Sequence, residues 1–128
     1  MKVISVTCAI IMFDAKILAV QRSESMKLPL KWEFAGGKIE EGESEVDCIK
    51  REIHEELNIL IEIEKRLTPV TYEYSDFKIE LIPFIAKYIK GELILKEHKN
   101  FVLANREELH KLDWAEADLP ILKEFLEI

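Results

Sequence analysis

Residues 37–59, GKIEEGESEVDCIKREIHEELNI, join a glycine-led loop to an acidic amphipathic segment. Read as a helix from about Ser44 to Leu57 at roughly 100° per residue, the segment brings Glu52, Glu55 and Glu56 within about a third of the circumference. Val46, Ile49, Ile53 and Leu57 fill the adjoining sector and can face a core. Like charges at i, i+3 and i+4 repel, so such a face needs a cation or stays open to water. Carboxylates and backbone carbonyls are the hard oxygen ligands that suit Mg²⁺ and Mn²⁺. Ser44 stands where an N-cap is needed, with a side chain able to accept from the backbone of the first turn. Asn58 stands just past the end, where a left-handed residue is often required and Asn serves next after Gly.

Around this segment the chain reads as one α+β domain spanning 1–128, long enough for a single core. Val3–Phe13 is rich in Val, Ile and Thr and predicts a long strand; Asp14-Ala15 turns it, and Lys16–Gln21 returns. A polar loop follows from Ser23 to Lys31. After the helix, Ile59–Ile63 alternates like a strand. Leu67–Tyr74 and Phe77–Ile89 form a hairpin through Ser75-Asp76. Pro83 inside the second of these predicts an edge strand or a bulge. Gly91 ends it, and Glu92–Leu95 extends the sheet. Asn105 and Glu108 read as a capping box opening a short helix to about Leu112, and a final helix covers Ile121–Leu126.

Composition and charge exclude several classes. The formal net charge of −7 and the lack of a basic stripe exclude a grip on polymeric nucleic acid. A small polyphosphate remains compatible, provided cations bridge the two sets of negative charge. No apolar run reaches the length of a membrane span. The apolar start lacks a basic leader and a small-residue cleavage site, so a cytoplasmic location is expected. Cys8 and Cys48 read as buried or half-buried thiols, not a disulfide framework. His54, His98 and His110 read as isolated surface residues.

The spacing G-x5-E-x7-R-E-(apolar)-x-E-E-x-x-(apolar), from Gly37 to Ile59, resembles the signature of the Nudix hydrolases. The preceding Trp32-Glu33-Phe34-Ala35-Gly36-Gly37-Lys38 resembles the MutT-type nucleoside triphosphate pyrophosphohydrolases. Asn58 departs from the family's usual Gly, and Ala35 stands where MutT has Pro, as in some pyrimidine-preferring relatives. The resemblance implies the Nudix fold, a mixed, largely antiparallel sheet in an α/β/α sandwich. It implies hydrolysis of a nucleoside triphosphate to monophosphate and pyrophosphate, in the manner of nucleotide-pool sanitisation. By the same resemblance Glu52, Glu55, Glu56 and the Gly37 carbonyl hold Mg²⁺, with Mn²⁺ as the other candidate, and Glu97 adds a carboxylate. Glu52, then Glu97, is the candidate base. Glu43 and Arg51 form an ion pair that fastens the loop to the helix. Asp118 reads the base, Phe34 lines its pocket, and Arg22 and Lys38 contact substrate.

Each assignment has a plainer counterpart. Arg22 and Glu97 can be solvated charges, Phe34 a core residue, Lys38 a charge-balancing partner and Asp118 a helix cap. An ionised Asp118 accepts from the exocyclic amine of cytosine, which favours CTP, dCTP or modified dCTP; protonated, it can also donate and admit 8-oxo-dGTP. A hydrolase of a nucleoside diphosphate linked to another group, an RNA 5′-end factor and a non-catalytic nucleotide-binding module are the competing readings. The last of these is disfavoured by three retained glutamates. The chain is expected as a monomer or homodimer.

Overall fold

The computed structural model describes residues 2–128. Strand β1 (Lys2–Phe13) turns at Asp14, whose φ is 56°, into β2 (Lys16–Gln21). Two short strands follow, β3 (Trp32–Glu33) and β4 (Gly36–Lys38), and then helix α1 (Glu45–Leu57). Strands β5 (Leu60–Arg66), β6 (Val70–Glu73), β7 (Phe77–Lys90) and β8 (Asn100–Ala104) complete one eight-stranded sheet. Two 3-10 turns (Arg106–Lys111 and Glu116–Asp118) lead to helix α2 (Leu119–Leu126). All strand pairs are antiparallel except β1 with β7, which run side by side from Lys2 opposite Phe77 to Met12 opposite Lys87.

The central strands are buried on both faces, so they carry apolar residues at successive positions. Alternation along each strand then sorts those residues between two cores. Cys8, Ile10, Ile17, Ala19, Leu81 and Ile85 point to one face, where Trp114, Ile121 and Phe125 cover them. Ala9, Ile11, Leu18, Val20, Ile82 and Phe84 point to the other, where Ile49, Ile53 and Leu57 of α1 pack. This is the expected three-layer arrangement of an α+β Nudix fold.

Helix α1 begins as the sequence predicts. Ser44 caps it, its hydroxyl accepting from the Asp47 N–H at 3.1 Å, and Glu45 and Asp47 lie at the positive end of the helix dipole. Ile49, Ile53 and Leu57 are fully buried, each contributing about 1.5–3 kcal/mol by burial. Asn58 ends the helix in the left-handed conformation, φ 62° and ψ 24°, and its N–H returns to the His54 carbonyl. The expected core stripe needs one correction: Val46 is exposed, and Cys48 is the buried residue of the first turns. Its thiol packs on the β4 segment, 3.4 Å from the Lys38 carbonyl, which turns that side of the helix inward.

Three further expectations change. Strand β7 is central, not an edge. Pro83 is tolerated because β6 pairs as far as Leu81 and β5 begins at Phe84, so Pro83 falls at the junction between neighbours. Its carbonyl still accepts from the Leu67 N–H at 2.8 Å. The expected strand Leu67–Tyr74 shortens to Val70–Glu73, and Glu92–Leu95 joins no strand. Instead Ile94 N–H and Lys96 N–H donate to the carbonyls of Leu57 and Glu56, which the helix end leaves unpaired.

Strands β1 and β2 pair only at Met12 with Ile17 and Phe13 with Lys16, beside their turn. Beyond that, residues 32–38 bridge them: β3 pairs with β2, and β4 pairs with β1. Neither Gly36 nor Gly37 has a positive φ, so conformation does not require glycine at either position. Close approach is the reason for both. A Cβ on Gly36 would lie 1.8 Å from the Thr7 carbonyl oxygen. Gly36→Ala should therefore destabilise the protein by about 3 kcal/mol or more, because backbone must move; urea unfolding against wild type measures it.

Candidate active site

Helix α1 presents its charged side toward β4 and the loop that precedes the helix. Arg51 Nε and Nη2 donate to the two oxygens of Glu43 at 2.6 and 2.9 Å, a bidentate pair that clamps the loop to the helix. The same guanidinium reaches Glu52 at 2.9 Å, Glu55 at 3.2 Å and Glu40 at 3.4 Å. Nη2 also donates to the Lys38 carbonyl at 3.2 Å. The Arg51 hydrogen bonds lower the Glu43 carboxyl to about 2, and Glu43 in turn raises Arg51. One cation thus holds together acids that would otherwise repel.

Glu52 and Gly37 face each other closely. A Cβ on Gly37 would fall 2.2 Å from the Glu52 carboxyl carbon, so a side chain there would displace the carboxylate from its present place. The Gly37 carbonyl accepts from the buried Thr7 hydroxyl at 3.3 Å. Glu56 is more deeply set, and its Oε2 is buried without a hydrogen-bond partner among the described residues. Burial first, then the charges of Glu52, Glu97 and Glu33, push the Glu56 carboxyl up to about 8. A buried carboxylate with an unpartnered oxygen and three acidic neighbours suits a cation, so the residues present fit a divalent metal. Among the described residues no three His, Cys, Asp or Glu side chains already converge as an assembled centre. Glu55 stays outermost, and Glu97 is exposed on the loop before β8.

A cavity of about 460 Å³ runs from Glu56 to Asp118, lined also by Arg22, Phe34, Lys38 and Tyr74. Asp118 is 4% exposed, and its Oδ2 accepts from the Phe34 N–H at 2.9 Å. It occupies the N-cap position of α2 but its side chain makes no capping bond there, so the carboxyl is turned to Phe34 and the cavity instead. Burial foremost, with the charge of Glu33, raises its carboxyl to about 8, partly offset by the Phe34 N–H and Arg22. Phe34 meets both expectations: its ring packs 4.7 Å from that of Trp114 in the core and also lines the cavity. Arg22 is not a free solvated charge but pairs with Glu33 at 2.8 Å. Lys38 makes no ion pair among the described residues, against its reading as a charge-balancing partner.

His98 overturns its sequence reading as a surface residue. It is buried, lines the cavity and lies 2.8 Å from Glu33 Oε2. Glu33, Tyr74 and His98 are the titratable wall residues of most interest among those that sequence reasoning missed. His98 and Glu33 had a signal to find them by, as the neighbours of Glu97 and Phe34; Tyr74 had none.

A model of the NUDIX domain matches residues 1–125. The chain is 36% identical over 126 residues to CTP pyrophosphohydrolase of Escherichia coli K12, covering 98% of this chain and 93% of that one. It is 31% identical over 91 residues to 8-oxo-dGTP diphosphatase of Buchnera aphidicola, covering 71% and 73%. A solution structure of MutT, described as a Nudix hydrolase, from methicillin-resistant Staphylococcus aureus 252 superposes with a TM-score of 0.81 at 41% identity, covering 99% and 98%.

The raised Asp118 carboxyl has a sign that stability can report. Between the ordinary value of 3.8 and about 8 the folded protein holds a proton that the unfolded chain has released. Stability should fall as pH rises through that window, with a slope of up to about 1.4 kcal/mol per unit from this group. Asp118→Asn should remove that component, read as the difference in unfolding free energy between pH 5 and pH 8.

Proposed function

Because this chain belongs to the Nudix family of hydrolases, we propose that it is a nucleoside triphosphate pyrophosphohydrolase acting first on CTP, dCTP or modified dCTP. The carrying observation is that a single cavity joins the acidic helix, at the unpartnered Glu56, to a buried carboxyl at Asp118. One end suits a polyphosphate with its cations and the other suits a base edge.

Nudix hydrolases generally use divalent metal ions, and Glu52, Glu55, Glu56, the Gly37 carbonyl and Glu97 are the proposed ligands, for Mg²⁺ first and Mn²⁺ second. The bound ion supplies phosphate neutralisation and a lowered pKa for water. Glu52 would take the proton of the attacking water, with Glu97 as the second choice, as the water oxygen bonds to a phosphorus of the α–β anhydride, the bridging P–O bond breaks, and monophosphate and pyrophosphate are released. Arg51, clamped by Glu43, keeps Glu52 in register against Gly37, where a 1 Å error would cost roughly a hundredfold. Arg22 and Lys38 meet the phosphates or sugar, and Phe34 packs on the base.

Asp118 is the proposed reader of the base. Near neutral pH its raised carboxyl stays largely protonated and so carries both a donor and an acceptor. That changes the expectation of an ionised acceptor. The acid O–H can donate to N3 of cytosine while its carbonyl oxygen accepts from the N4 amine. The same donor and acceptor pair also matches O6 and the N7 hydrogen of 8-oxoguanine. With the Buchnera relative, this supports 8-oxo-dGTP as the second reading.

Pyrophosphate release with Mg²⁺ or Mn²⁺, from CTP, dCTP, 5-methyl-dCTP, the other normal dNTPs, 8-oxo-dGTP and ADP-ribose, tests the proposal. Cytosine nucleotides should be preferred, Glu56→Gln should abolish turnover, and Glu52→Gln should lower kcat by about 10²–10⁴-fold. Turnover of 8-oxo-dGTP alone would transfer the assignment to the second reading. A folded protein with no turnover of any compound would favour a binding module.

A further inference from the structure

His98 is a buried imidazole in the loop that also carries Glu97, with 2% of its side-chain surface exposed. Its Nε2 lies 2.8 Å from Glu33 Oε2, while its Nδ1 is buried with no partner among the described residues. The single contact at Nε2 favours one tautomer. With Nε2–H donating to the carboxylate, Nδ1 keeps only an unpaired acceptor, and orphaned buried acceptors are tolerated better than orphaned donors.

Glu33 is gripped from its other side as well. Its Oε1 accepts from Arg22 Nη1 at 2.8 Å, and Arg22 Nε donates to the Lys27 carbonyl. Arg22 Nη2 makes no hydrogen bond among the described residues, and the side chain lines the cavity. A row of three side chains thus runs from the loop before β8, through β3, to the end of β2.

We propose that His98 is a positioning residue for substrate binding: it holds Glu33 from behind and so fixes Arg22 on the cavity wall, a role that rests on the pyrophosphohydrolase reading. The backbone of the same loop is tied separately, by the Lys99 N–H donating to the Gln21 carbonyl at 2.9 Å. Removing the imidazole therefore loosens Arg22 while Glu97 keeps its anchorage, and the loss falls on KM rather than kcat.

Four variants test this: His98→Gln, whose amide N–H can replace Nε2–H; His98→Asn, polar but too short to reach Glu33; His98→Leu, which fills the space without a donor; and Arg22→Ala. His98→Asn and His98→Leu should each raise KM for the preferred nucleotide about tenfold, the loss of a charge-assisted hydrogen bond, with kcat within about threefold. His98→Gln should restore KM. On an Arg22→Ala background His98→Asn should add less than about twofold, because both act through one group. An unchanged KM in His98→Asn, or full additivity with Arg22→Ala, overturns the proposal. A second readout does not need turnover: the Arg22 Nε–H signal in ¹⁵N NMR spectra. It should be sharp in wild type and His98→Gln and broadened or lost in His98→Asn. A wild type that hydrolyses no nucleotide would sink the functional reading alone, whereas an Arg22 signal unchanged in His98→Asn would sink the positioning role.

Discussion

Arg51 is the point on which the site depends. Its guanidinium stands among Glu40, Glu43, Glu52 and Glu55, four carboxylates whose mutual repulsion would otherwise push the loop away from the helix. Planar geometry lets it do two tasks at once. One edge takes both oxygens of Glu43, and the remaining amino group meets Glu52 and Glu55. Lysine could not divide itself in this way. The arrangement supplies positive charge to Glu52, whereas Glu56 makes no ion pair with Arg51 among the described residues.

That clamp needs a surface to close on, and the sheet provides it. Segment 32–38 lies along β1 closely enough that Gly36 touches the Thr7 carbonyl and Gly37 leaves space only for the Glu52 carboxyl. Glycine is required here for the volume it lacks. Thr7 and Cys48, both buried, meet behind the same segment at 3.2 Å, so the floor of the site is polar where it supports the Gly37 carbonyl and apolar where α1 packs. Phe34 and Asp118 hold the other end of the segment, which links the two cores through one short stretch of chain.

Much of this was legible in the residues. Periodicity gave α1 nearly to the residue, and Asn58 announced its own left-handed cap. Strand β2 and the turn at Asp14 were also readable, because local chemistry decides them. What failed was decided at long range. Pro83 fits a central strand only once its neighbours are known to change there. Residues 92–96 could have been a strand until the open carbonyls of α1 claimed their N–H groups. His98 looked isolated because its partner, Glu33, is distant in sequence, and the Phe34 N–H that holds the Asp118 carboxyl is likewise distant from Asp118. In the site, the acidic helix was legible from spacing, whereas the wall facing it was assembled from β2, β3, the loop before β8 and the approach to α2. No local pattern records that assembly.

The scant pairing of β1 with β2 has a consequence for the order in which this molecule can form. A hairpin joined only beside its turn cannot zip far, and its open part waits for residues 32–38 to enter between the strands. The other side of β1 waits for β7, with Lys2 opposite Phe77, so the centre of the sheet closes through contacts remote along the chain. Chains dominated by such contacts fold slowly compared with helical bundles. The cavity therefore exists only after the middle of the sheet has closed. A nascent chain released as far as α1 carries every acidic residue of the helix and still has no β7 on which to complete the floor beneath it.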